Sequence, residues 1–165
     1  MKYNKQPISK AIIRFQDCDP FGHLNNSKYL DYMINAREDH LIHEYDLNIF
    51  KMARHEGKSW VVGHSEIVYM KPALVMEEVK IQSRLIEFAD RYVKAEMVML
   101  DKEEEQVKAV LWSKFVHYDL KTLRSRPHEE ELMSILNEIH TPIEEASLEQ
   151  RARKLAETQV LAAKV

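Results

Sequence analysis

The sequence predicts an α+β fold, a curled antiparallel sheet of about five strands wrapped around one long helix, with extra helices at the C-terminus. Three observations carry that prediction. Apolar residues recur with a helical period from Ser27 to Tyr45. After Ser59 the period changes to alternation, in long stretches joined by short connections. The helical tail comes last, so helix and sheet segments are segregated along the chain.

Each element follows in order. Ile8–Phe15 reads as a strand with both faces partly apolar. Asp17–Asn26 is rich in Asp, Gly and Asn and breaks the pattern into a loop. The long helix carries Leu30, Met33, Ile34, Leu41, Ile42 and Tyr45 on one broad stripe, and Asn26 or Ser27 is its cap. Asp46 is read as the cap of a short second helix, Leu47–His55, that ends at Gly57. Ser59–Lys71 is a strand stopped by Pro72. Val79–Phe88, Arg91–Leu100 and Gln106–Asp119 then form a meander. The alternating Lys and Glu residues of those later strands read as a solvated face. Leu132, Ile135, Leu136 and Ile139 mark a helix. Thr141-Pro142-Ile143-Glu144 matches a capping box opening a last helix, with Leu148, Ala152, Leu155 and Gln159 as a narrow stripe.

The bulk numbers exclude several classes of function. Of 165 residues, 45% are hydrophobic and 31% charged, which fits a folded domain and not a disordered chain. A formal net charge of -3 gives no basic face, so nucleic acid is not an expected partner. No apolar run approaches a membrane span, and the N-terminus lacks the apolar stretch of a signal peptide. The single cysteine, Cys18, suits a reducing compartment, and the cytoplasm is the expected location.

The stretch Asp17-Cys-Asp-Pro-Phe-Gly-His-Leu-Asn-Asn26 concentrates polar chemistry at a helix start. Taken singly, each residue has a structural reading. Asp17 and Asp19 shape turns, Gly22 supplies a positive φ, and Asn25 and Asn26 cap the helix. Taken together they are the parts of an acyl-transfer site. A helix N-terminus offers free N–H groups to a developing oxyanion, and a carboxylate and an imidazole lie just upstream. Cys18 between two carboxylates is a poor nucleophile, because both raise its pKa.

The segment Arg14–Arg37 resembles the signature of hot-dog fold acyl-CoA thioesterases of the 4-hydroxybenzoyl-CoA thioesterase type. Their pattern runs Asp-x-Asp-x-x-Gly-His-x-Asn-Asn-x-x-Tyr, and every named position is filled. Tyr69 and Pro72 match a second, weaker Tyr-x-x-Pro segment, while Met76-Glu77 replaces the usual Gly-Asp of the turn that follows. The resemblance covers about residues 8–120.

It implies a hot-dog thioesterase domain over residues 1–125. Residues 126–165 are left as a helical extension packed on that domain or on a neighbouring subunit. It also implies acyl-CoA hydrolysis to a free acid and coenzyme A. Asp19 is the implied catalytic carboxylate, as nucleophile or general base, and His23 a catalytic or orienting group. Asn25 and Asn26 lie at the oxyanion or substrate contact. Asp17 is expected to orient the loop, and Tyr29 and Tyr32 to pack near the acyl tunnel. No metal and no redox cofactor are implied, coenzyme A being part of the substrate. Two such sheets join edge to edge in this family, so a homodimer or homotetramer with interfacial sites is expected.

Trp60, His64 and Glu66 read as one face of their strand, and Ser65 as the other with Val61 and Ile67. His64, Ser65 and Glu66 are therefore candidates to support a neighbouring subunit's site, against the plain reading of a half-polar strand. His40, His43 and Glu44 lack the spacing of a zinc-protease helix and read as exposed helical residues. His128 and the glutamates after it read as a helix cap. Rival readings are an acyl-carrier-protein thioesterase, a hot-dog hydratase and a non-enzymatic acyl-CoA binder. Phe21 stands where plant carrier-protein enzymes hold Asn, and Asp19 to His23 is one residue short of the hydratase spacing.

Overall fold

The computed structural model describes residues 3–162. Strand β1 (Ile8–Ile12) is followed by the loop and by helix α1 (Tyr29–Tyr45). A short helix α2 (Ile49–Lys51) and one wide turn at Met52–Glu56 lead into β2 (Lys58–Tyr69). Strands β3 (Glu78–Phe88), β4 (Tyr92–Asp101), β5 (Val107–Asp119) and a two-residue β6 (Arg124–Ser125) follow. Helices α3 (Glu130–Ile139) and α4 (Leu148–Ala162) close the chain. The antiparallel sheet has the order β1-β3-β4-β5-β2, with β6 added on β5. Its edges are therefore β1 and β2.

Alternation in β3, β4 and β5 sorts side chains to two sides. Val79, Ile81, Met97, Met99, Ala109 and Leu111 face α1, where they meet Tyr29, Met33 and Ala36. Val98, Val110 and Trp112 face the other way and pack with Leu148 of α4. Helix α4 thus covers the part of the outer face around Val98, Val110 and Trp112, which is not solvated. Glu96 is 0% exposed there, bound by Arg151 of α4 through two hydrogen bonds of 2.9 and 3.0 Å and by Trp112 Nε1 at 2.9 Å. Gln159 ends the α4 stripe by accepting the Val107 N–H at 2.8 Å. The tail docks on its own sheet.

Other expectations need correction. β1 ends at Ile12, and Phe15–Asp17 is a tight helical turn with Phe15 exposed. Asp46 sits in the left-handed region and terminates α1, while Asn48 caps α2 through the Lys51 N–H. Gly57 closes the segment with φ +67, which a glycine adopts without steric cost. Thr141–Glu144 is irregular rather than helical. The Thr141 N–H bonds Leu85 O, and Ile143 packs on the outer face, so the chain must stay open until Ser147 caps α4. The α1 stripe also differs. Arg37 and His40 are buried, whereas Leu30 and Ile34 are only half-buried.

Candidate active site

The loop 17–26 is held from several sides. Its N–H groups at Asp19, Leu24 and Asn25 donate to His23 O, Ala73 O and Asp17 O, at 2.8, 2.8 and 2.9 Å. Val75 N–H returns to Gly22 O at 2.8 Å, and Gly22 has φ +75, so a non-glycine residue there is strained. Asp17 accepts the Tyr32 hydroxyl at 2.7 Å, and the Tyr32 oxygen accepts the Arg14 N–H at 3.0 Å. Tyr29 is buried and accepts the Ala73 N–H at 3.0 Å. Tyr32 therefore ties the loop to α1 directly, and Tyr29 ties to α1 the Ala73 segment on which Leu24 of the loop is held. Tyr29 also lines the cleft described next, and Tyr32 does not.

Asp19 Oδ1 accepts the N–H groups of Phe21 and His23 at 2.9 and 3.0 Å. Among the described residues Oδ2 makes no hydrogen bond. The carboxylate lies in an open cleft of about 250 Å³ shared with His23, Asn26, Tyr29, Tyr69 and Lys71. Asn25 caps the helical turn Asn26–Lys28, its Oδ1 accepting from Ser27 N and Ser27 Oγ at 3.2 and 3.1 Å. The Asn26 N–H opens that turn, with no carbonyl before it in helical register. Burial, then the charges of Asp17 and Asp19, push the Cys18 thiol up. A reactive thiolate is disfavoured there.

Tyr69 is a site residue that the sequence reading matched to a motif and gave no role. Its hydroxyl donates to Asn26 O at 3.0 Å, and its ring meets that of Tyr29 edge-on at 5.2 Å. It ties the end of β2 to the helix start, and Tyr-x-x-Pro was the available signal.

His64, Ser65 and Glu66 do not join this cleft within the chain. The β2–β5 register shifts between Val62 and His64, at Gly63. That bulge reverses the faces expected for the first half of the strand. Trp60 and Val62 pair with His117 and Phe115 and share a face with Ser65, which meets Ser113 Oγ at 2.8 Å. His64 and Glu66 lie together on the opposite, exposed side, 3.6 Å apart. His40 and His43 also separate, since His40 is buried against Ser83 and His43 is exposed. Among the described residues no group of His, Cys, Asp or Glu is placed to hold a metal ion. His128 is buried, stacked on His117 at 4.7 Å, and accepts the Trp60 Nε1–H at 3.0 Å. Its role is packing, and Glu129 takes the cap position.

Comparison with known proteins gives this geometry a family. The family model described as the thioesterase-like superfamily matches residues 13–136. The chain is 28% identical over 127 residues to the long-chain acyl-CoA thioesterase FadM of Escherichia coli (strain K12), covering 77% of this chain and 94% of that one. Among solved structures it is similar to the YbaW probable thioesterase from Escherichia coli, with TM-score 0.69 and 27% identity. That match covers 81% of this chain and 98% of the other. The fold also superposes on the DHNA-CoA thioesterase from Staphylococcus aureus with TM-score 0.75 at 13% identity, over 81% of this chain and 90% of that one. With its curled sheet around α1 and its matched span, the chain belongs to the thioesterase-like superfamily and is a hot-dog thioesterase.

Proposed function

We propose that the chain hydrolyses acyl-CoA thioesters at the Asp19 cleft. The observation that carries this reading is the division of labour on one carboxylate. Two backbone N–H groups fix Oδ1 and leave Oδ2 unbonded beside a helix start. As a base, Asp19 takes a proton from water while the water oxygen adds to the thioester carbonyl carbon. The Asn26 N–H holds the resulting oxyanion. The C–S bond then breaks, and the proton passes from Asp19 to the departing thiolate, giving the acid and coenzyme A. Direct attack by Oδ2 uses the same oxygen and an acyl-aspartyl intermediate that water opens.

His23 orients water or the carbonyl from across the cleft, and the Asn26 side chain contacts the substrate. Lys71 at the cleft offers a cation for the coenzyme A phosphates. The route draws on a carboxylate, water and backbone donors, and needs no metal or redox cofactor. Two similar proteins, FadM and the Staphylococcus aureus enzyme, are CoA thioesterases, which supports this substrate class. The partner we propose is a second copy of the chain joined through the β2 edge, alone or as a dimer of dimers. The single cysteine suits work in a reducing cytoplasm.

The experiment is thiol release from short, long and aromatic acyl-CoAs, with wild type beside Asp19→Asn. Asparagine keeps the Oδ1 contacts and removes the charge. Turnover is expected to fall about 10²–10⁴-fold with folding intact. Undiminished turnover in the variant sinks the assignment of Asp19.

A further inference from the structure

A second cavity lies further down α1, between that helix, α2, α3 and the inner face of the sheet, with a volume of about 110 Å³. Ile34, Leu41, Trp60, Leu85 and Phe115 give it apolar walls, and Arg37 is set among them. Arg37 is only 5% exposed. Its NH1 donates to Ser83 Oγ at 3.2 Å, and its guanidinium lies 5.5 Å from the Tyr45 ring centre. Among the described residues it makes no ion pair. His40 reaches the same Ser83 hydroxyl at 2.8 Å, and with a pKa lowered to about 4 it is neutral at pH 7 and adds no second positive charge.

The same molecule shows how a structural buried arginine is treated. Arg151 is gripped by both oxygens of Glu96. An unpaired buried guanidinium carries a desolvation penalty that only an anion offsets well. A carboxylate fits its fork with two parallel hydrogen bonds.

We propose that Arg37 is a specificity-determining residue that binds the far carboxylate of the acyl group, making CoA monoesters of dicarboxylic acids the preferred substrates. This rests on the acyl-CoA hydrolase reading above. Arg37 lies eight residues beyond Tyr29, about 12 Å along the helix axis. An acyl chain on the order of ten carbons matches that rise from Tyr29, which lines the Asp19 cleft. Half-buried Leu30 and Ile34 of α1 and Ile67 of β2 are apolar residues for its methylenes. Glu38 also lines the cavity and is the group that opposes an incoming anion, although burial and then Asp39 push its carboxyl up.

The test compares decanoyl-CoA with the mono-CoA ester of decanedioic acid, in wild type, Arg37→Met and Glu38→Gln. It is paired with calorimetric binding of free decanedioate and decanoate. Wild type is expected to favour the dicarboxylic ester by about tenfold or more in kcat/KM. Arg37→Met should abolish or reverse that ratio, and Glu38→Gln should increase it. Arg37→Met should also raise the denaturation midpoint, whereas loss of a merely structural arginine lowers it. A wild type that prefers decanoyl-CoA, or a ratio unmoved by Arg37→Met, overturns the proposal. Absence of turnover on both esters is a failure of the hydrolase reading, and calorimetry then decides alone. Tighter decanedioate binding that depends on Arg37 upholds the subsite, and equal binding of both acids overturns it.

Discussion

His40 ties stability to pH. Burial, and next the charge of Arg37, lower its pKa to about 4 in the folded chain, against 6.5 as its ordinary value. Between those values the unfolded chain holds a proton that the folded chain does not. The stabilisation is therefore full above pH 6.5 and is lost as pH falls toward 4. The amount is about 3 kcal/mol for this one group. His117 and His128 are also pushed down, chiefly by burial, and act in the same direction. Denaturant midpoints at about pH 7.5 and about pH 4.5 should differ less in His40→Gln than in wild type. An unchanged difference would falsify this account. At this scale the Asp19 loop was readable, because its chemistry is contiguous in sequence and its turn residues have local roles. Arg37 and His40 were not, because the hydroxyl that lets them be buried belongs to Ser83, two strands away in the chain. Periodicity instead put Leu30 and Ile34 on the buried stripe.

Elements were legible where local signals agreed. β3 begins at Glu78 and ends at Phe88, within a residue of the alternating stretch Val79–Phe88. Long strands with short connections leave little freedom. The bulge in β2 was missed although Gly63 signalled it, since a glycine inside a strand often marks an extra residue. Counting by twos straight through it put Trp60 on the wrong face. The outer sheet face was misread for a different reason. Lys108 looks like a surface residue until it pairs with Glu77, and Arg84 and Glu96 do until Arg151 of α4 joins Glu96 from 55 positions along the chain. This contact makes α4 part of the fold. Arg151→Ala should destabilise by about 3 kcal/mol, because Glu96 remains buried with Arg84 alone. Combining Arg151→Met with Glu96→Gln and Arg84→Met should recover most of that loss, since it removes all three charges of the cluster. Equal urea midpoints for wild type and Arg151→Ala would mean that α4 is held by Leu148 and Ala152 without the ion pair.

The two sheet edges differ, and that difference bears on assembly. β1 has five residues, and Lys10 pairs with Glu78 beside it. Short, charged edges resist further pairing. β2 has twelve residues, with Val61 39% and Val62 56% exposed. A long apolar edge with unpaired backbone groups is a template for another strand. Two copies joined antiparallel along β2 would form one continuous sheet. Tyr69 at the end of β2 already closes one side of the Asp19 cleft, so a partner strand would approach its open side. Sedimentation of wild type should give a dimer at micromolar concentration. Val61→Lys with Val62→Lys adds like charges to the edge and should shift the equilibrium toward monomer. Thiol release should then fall by about tenfold or more and recover as protein concentration is raised, which follows from mass action on a dimeric site. A wild-type monomer that turns over at full rate would mean that the cleft is complete within one chain, and the exposed valines of β2 would then need another partner.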